Sequence, residues 1–187
     1  MNRIDLVDTD SITDDRAESL QQIKAAFGFV PNMFRAASNS PAALKSLWGS
    51  FGALSGGTLG AKVGEQIAVA VADHNRCDYC LSAHTLLGKK AGATAEEMAD
   101  AQKGRSADTR TAAILALAVA LVDSRGQIDD DTIAAARDAG LTSEEIVETV
   151  AHVALNVFTN YFNRAAQTEI DFPVVRAGTL RHIPSLA

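Results

Sequence analysis

Apolar residues recur along this chain at helical spacing, and nearly every run has a recognisable start and stop. Thr13 or Asp14 caps a first helix that ends at Gly28. Val30-Pro31 breaks the chain, and Pro31 to Ser38 forms a short helical piece. Pro41 suits the first turn of a third helix, which runs towards Ser55-Gly56-Gly57. A fourth covers about Ala61 to Asp73, and His74-Asn75-Arg76 reads as a turn. A fifth starts near Cys77 and stops at Gly92. Thr94 and Glu97 supply a capping box for the sixth. The most apolar stretch, within Thr109 to Asp123, is a buried seventh helix, and Asp129 to Ala139 is an eighth, closed by Gly140. Thr142 and Glu145 open a long last helix to about Gln167. From Asp171 onward the chain reads as an extended tail. Strand-like alternation is scarce. The expectation is an all-α fold of about eight to nine helices in a single domain. Its parts are an N-terminal helical extension (1–57), a core (58–125), C-terminal helices (126–170) and the tail (171–187).

One internal echo bears on architecture. Ala91-Gly92-Ala93-Thr94-Ala95-Glu96-Glu97-Met98 matches Ala139-Gly140-Leu141-Thr142-Ser143-Glu144-Glu145-Ile146 at an offset of 48 residues. A repeated helical hairpin would produce it. So would two helices that share stop-and-start chemistry. If the unit is repeated, only the first copy carries cysteines: Ile128 and Thr132 stand where Cys80 and His84 would be.

Composition narrows the class. The 187 residues are 47% hydrophobic and 21% charged, ordinary for a globular chain. A formal net charge of -6 argues against nucleic acid, which needs a basic face. The Ala112–Val122 run is too short to span a bilayer, which takes about 20 apolar residues. The polar, acidic start lacks a signal-peptide pattern, so the expected location is cytoplasmic, with no membrane partner.

The only two cysteines, Cys77 and Cys80, lie three positions apart. A pair at that spacing in a cytosolic chain reads as redox chemistry or metal binding. At a helix start, backbone amides and the helix dipole favour a thiolate, the reactive form, and a second thiol nearby can close a disulfide after oxidation. His84 follows Cys80 by four residues, so on a helix it sits on the same face and can move a proton. On one continuous helix Glu65 would lie ~22 Å from Cys80. A turn at His74-Asn75-Arg76 changes that, because two antiparallel helices folded there bring Glu65 opposite His84. The glycine and alanine content around this hairpin suits close helix packing. Tyr79 and His74 flank the cluster as secondary candidates.

Other readings of these residues carry less. His74, Cys77, Cys80 and His84 could be counted as zinc ligands. However, all four fall within eleven residues, and a continuous helix cannot wrap a tetrahedron around them. A thioredoxin-like site needs βαβ units, which the pattern lacks. Asn156, Asn160 and Asn163 share a helix face and read as a polar surface stripe, with a pocket or an oligomer seam as the alternative. His152 is assigned no role.

The pattern Glu65-x11-Cys77-x2-Cys80-x3-His84 resembles the core motif of the alkylhydroperoxidase D branch of the carboxymuconolactone decarboxylase-like family. Gly28-Phe29-Val30-Pro31-Asn32-Met33-Phe34, Asn160-Tyr161-Phe162-Asn163 and Asp171-Phe172-Pro173 are similar to a peroxidase-related subgroup of it. The resemblance implies an all-α fold built on a repeated helical unit. It implies a homo-oligomer, a trimer or hexamer with a dimer as the alternative. It also implies Cys80 as the peroxide-attacking thiolate, Cys77 as the resolving cysteine, and Glu65 with His84 as the proton relay. The substrate would be hydrogen peroxide or an organic hydroperoxide. A dithiol protein or small thiol would restore the pair, with no metal or organic cofactor. One position departs from the motif: the family's peroxidases carry a histidine just before the second cysteine, and here it is Tyr79, a poor base near neutral pH. Two alternatives stay open. One is a redox switch or disulfide-exchange protein with little peroxide turnover, which the Tyr79 departure favours slightly. The other is a non-redox decarboxylase-type lyase using Glu65 and His84, whose activity would survive loss of both thiols.

Overall fold

A computed structural model describes residues 2–178 of the chain. Among the described residues there are nine α-helices and no strand: α1 (Ala17–Phe27), α2 (Asn32–Ala37), α3 (Pro41–Ser55), α4 (Gly60–His74), α5 (Asp78–Lys90), α6 (Ala95–Ala101), α7 (Thr109–Asp123), α8 (Asp130–Asp138) and α9 (Ser143–Ala166). The helices begin and end for local reasons. Ser40, Thr94, Asp108, Asp129 and Thr142 each accept a first-turn amide N–H at the start of α3, α6, α7, α8 and α9. Thr94 and Thr142 form full capping boxes with Glu97 and Glu145. Helix α1 starts later than its sequence suggests. Asp14 does not cap it, because its carboxylate is occupied by the backbone N–H and guanidinium of Arg16.

Helix α4 is the centre of the molecule. It packs against α5, α6, α7 and α9, and eight of its residues are buried, from Gly64 to Ala72. Glycines let the neighbours come close. A Cβ on Gly64 would lie 2.9 Å from the His152 ring of α9, and one on Gly88 of α5 would run into Met98 of α6. The core continues through Ile114, Leu115, Leu117 and Ala118 of α7 and Leu44 and Leu47 of α3.

The helical hairpin is repeated. Arg76 and Arg125, 49 residues apart, both adopt left-handed backbone at the turn after a fifteen-residue helix. The next amide reaches back five residues in each copy, Cys77 to Ala72 and Gly126 to Leu121. At the following turn the offset is 48: Ala93 bonds to Gly88, and Leu141 to Ala136. The first copy is α4–α5–α6 and the second α7–α8–α9, with α8 shorter than α5.

The start of the described chain meets the end of the second copy's last helix. Arg3 N–H donates to the Ala166 carbonyl, and Glu169 N–H to the Asn2 side chain. The tail from Asp171 to Gly178 carries no helix and runs back over its own α5. Val175 and Ala177 donate to Ser82 and Asp78, and Gly178 to Asp73. Residues 179–187 of the expected tail lie outside the described residues. No described helix is long and apolar enough to cross a membrane.

Candidate functional site

The α4–α5 hairpin does what the spacing requires. The turn at Asn75-Arg76 reverses the chain, and Glu65 Oε2 then lies 2.7 Å from His84 Nδ1. Two contacts pin that turn to α9: Asn75 donates to Asn160 Oδ1 at 3.0 Å, and Arg164 donates to the Asn75 carbonyl at 2.7 Å.

Cys77 is the N-cap residue of α5, and its sulfur accepts the Cys80 backbone N–H at 3.3 Å. Both thiols are free and buried. They are not equivalent: the helix-start amide falls on the first, yet the second is the one whose pKa is lowered. Burial by itself raises the Cys80 thiol. It is outweighed by the hydrogen bond from the Cys77 thiol, by the charge of His84 and by the amides of Asn163 and Asn160, which bring the pKa down to about 7. The Cys77 thiol is pushed far up, first by donating to Cys80, then by burial and by the Cys80 charge. Burial also disfavours a charged His84, but the Glu65 carboxylate reverses this and holds its pKa above the ordinary histidine value. These shifts favour a Cys80 thiolate beside a protonated His84, with Cys77 keeping its proton.

Asn163 Nδ2 donates to Cys80 Sγ at 3.3 Å. This corrects the surface reading of the asparagine row, since Asn156, Asn160 and Asn163 are all buried. The signal was present in the sequence. Ile146, Thr149, Val153, Asn156, Asn160 and Asn163 recur at alternating spacings of three and four, so the asparagines continue the inward face of α9.

The secondary candidates part company. His74 turns towards Asp123 of α7, with Nε2 3.7 Å from the carboxylate, so the four residues counted as zinc ligands do not converge. Among the described residues no group of three or more His, Cys, Asp or Glu side chains is placed to hold a metal ion. Tyr79 stays beside the site, but its hydroxyl accepts the buried Met33 N–H at 3.1 Å. Burial, then the neighbouring Asp171 carboxylate, raises the phenol's pKa, so it is no base at this site. The motif segments near the two ends meet here. Asp171 accepts the Asn32 N–H at 2.7 Å, and the Phe172 ring packs at a tilt against Phe29 and edge-to-face against Tyr79.

Cys80, His84, Glu65 and Asn163 open on one cavity of about 390 Å³. Its other walls are mainly apolar, including Phe27, Phe34, Trp48 and Phe51 from α1, α2 and α3 and Phe172 from the tail. These aromatic residues were not singled out as site residues from the sequence. Their spacing marks them only as core, and the cavity forms where separate helices meet.

Residues 41–123 match the model of the carboxymuconolactone decarboxylase family. Over that stretch the chain is similar to this family, and its fold is alkylhydroperoxidase D-like. Its fold is that of an alkylhydroperoxidase AhpD core, an uncharacterized peroxidase-related protein from Ralstonia eutropha JMP134: TM-score 0.83, 20% identity, 91% of this chain and 92% of that one. An uncharacterized peroxidase-related protein from Silicibacter sp. TM1040 superposes with a TM-score of 0.80 at 20% identity, over 90% and 91% of the two chains. The debrominase Bmp8, solved in complex with 2,3,4-tribromopyrrole, shares the fold at a TM-score of 0.76 and 18% identity, again over 90% and 91%. No curated protein matches the sequence significantly.

Proposed function

We propose that this protein is a thiol peroxidase that reduces organic hydroperoxides through Cys80 and Cys77. The observation that carries the reading is the Cys80 thiol, lowered to about 7 at the wall of a largely apolar cavity. The Cys80 thiolate attacks the terminal oxygen of the hydroperoxide and the O–O bond breaks. Cys80 becomes a sulfenic acid, and the departing alkoxide takes a proton from His84 and leaves as the alcohol. Glu65 supports His84 in its charged form. The Cys77 thiol then condenses with the sulfenic acid, giving the disulfide and water. An external dithiol returns both cysteines to thiols by exchange. Aromatic walls favour an organic hydroperoxide over hydrogen peroxide, because burying an apolar group adds affinity that hydrogen peroxide cannot supply. A dithiol reductant and further copies of this chain are the expected partners, and the resemblance to the family carries both.

The test is steady-state consumption of cumene hydroperoxide with dithiothreitol, for wild type, Cys80→Ser and Cys77→Ser. Turnover by wild type and none by Cys80→Ser is the expected result. Oxidation of wild type once, without turnover under any dithiol, would leave a redox switch in its place. Activity on a lactone substrate that survives loss of both thiols would return the site to plain acid–base chemistry by Glu65 and His84.

The aromatic cavity also favours a second reading, because the debrominase sharing this fold was solved with a brominated pyrrole. The same dithiol could supply two electrons to a bromoarene, giving the arene, bromide, a proton and the Cys77–Cys80 disulfide. Bromide release from tribromopyrrole under dithiothreitol distinguishes the two activities.

A further inference from the structure

We propose that Asn163 orients the hydroperoxide as well as the thiolate: its amide nitrogen holds Cys80, and its amide oxygen receives the substrate O–H. The inference rests on the peroxidase reading above and deepens it. Asn163 is 3% exposed, and its Nδ2 lies 3.3 Å from Cys80 Sγ. Its Oδ1 is buried and has no hydrogen-bond partner among the described residues. Asn163 and Cys80 both line the aromatic cavity. A buried carbonyl oxygen without a donor is unfavourable, so natural proteins seldom keep one without a use.

Two donors that line the same cavity are engaged elsewhere. The Thr159 hydroxyl donates to the Asn156 carbonyl, and His84 Nδ1 faces Glu65. A hydroperoxide, unlike the alkyl body it carries, brings one O–H donor, and that hydrogen sits on the oxygen under attack. Accepted by Asn163 Oδ1, it places the terminal oxygen beside the atom that already holds the sulfur. The alkyl group then points into the aromatic part of the cavity, and the second oxygen, the leaving alkoxide, turns towards His84. One planar amide thus fixes nucleophile and electrophile relative to each other, which lowers the orientation cost of the attack. The atoms balance as in the mechanism above: Asn163 neither gains nor loses a proton.

The test separates an effect on the thiol from an effect on the substrate. Second-order rate constants of Cys80 with cumene hydroperoxide and with iodoacetamide, which needs only a thiolate, are taken as full pH profiles. Wild type is compared with Asn163→Leu, close in volume but without either polar atom, and with Asn163→Ser. The high-pH plateaus report the fully ionised thiol. The expected result is a fall of about tenfold or more in the cumene hydroperoxide plateau of Asn163→Leu. The iodoacetamide plateau should stay within about twofold, because only orientation of the peroxide is lost. Both plateaus falling by one factor, or neither falling, would overturn the inference.

A second measurement needs no variant. Cumyl alcohol carries the O–H donor and cumene lacks it. The Asn163 side-chain carbonyl resonance of the wild-type protein should shift with the alcohol and not with the hydrocarbon. The same response to both would overturn the inference. If wild-type Cys80 is alkylated by iodoacetamide but oxidised by no hydroperoxide, the peroxidase reading falls, and this inference with it. Normal wild-type oxidation that Asn163→Leu leaves untouched would sink the inference alone.

Discussion

A thiol pulled down to about 7 titrates where an ordinary cysteine is still protonated. The sign of the pH dependence follows. The rate of Cys80 alkylation should rise through about pH 7 and level off above it, where an unperturbed thiol would still be climbing. A profile with its midpoint near 8.5 would show that the neighbours do not act on the sulfur as described. Glu65→Gln removes the carboxylate that holds His84 charged. His84 should then lose its proton at lower pH, Cys80 should titrate higher, and peroxide reduction at pH 7 should fall by about 10²-fold, in the range of general-acid effects. Tyr79→Phe tests a different point. It leaves the buried Met33 N–H without its acceptor and should cost about 1–3 kcal/mol in chemical denaturation. Residue by residue, Glu65, Cys77, Cys80 and His84 could be singled out from the sequence because one hairpin brings them together, and a hairpin is legible from spacing. Asn163 comes from a helix more than 80 positions away. Its partner could not be read from local pattern, although its place on the inward face of α9 could.

Helices were the most legible feature of this chain, because their ends are written in capping residues and glycines. The turn glycines Gly92 and Gly140 adopt left-handed backbone, at φ 92° and 87°. The capping boxes at Thr94 and Thr142 appear as the sequence implies. Thr142→Ala removes the side chain that caps α9 and should destabilise the protein by about 1 kcal/mol, measured by thermal or urea unfolding. Glu145 adds a reason for that cap to matter, since its carboxylate also pairs with Arg110 at the start of α7. Where the sequence reading failed, a competing contact explains it. Asp14 looked like a cap and is bound to Arg16 instead. The asparagine row looked like surface and is part of the packing between α9, the α4–α5 turn and Cys80. The two hairpin copies share turn geometry, yet Ile128 and Thr132 of the second copy carry no thiol or imidazole. The thiols and the imidazole of the site come from the first copy, and the second contributes Asn163.

At the scale of the whole molecule, the repeat supplies a rigid frame and the parts outside it close the site. Helices α1, α2 and α3 give the cavity its aromatic wall, and the C-terminal segment lays Phe172 over Tyr79. The sequence marks both segments, but nothing local says that they meet: Asn32 and Asp171 are 139 positions apart. Phe172→Ala should therefore do two things at once. It should lower stability by about 3 kcal/mol, and it should speed Cys80 alkylation by opening the cavity wall. Loss of stability without faster alkylation would mean that the tail is only a buttress.

The central claim is that Cys80 attacks the peroxide and Cys77 resolves the product. Intact mass after one equivalent of cumene hydroperoxide tests it most directly. Wild type should lose about 2 Da as the disulfide forms, Cys77→Ser should gain about 16 Da as a sulfenic acid, and Cys80→Ser should be unchanged. A gain of about 16 Da in Cys80→Ser, with Cys77→Ser inert, would contradict the account, because the attacking thiol would then be Cys77.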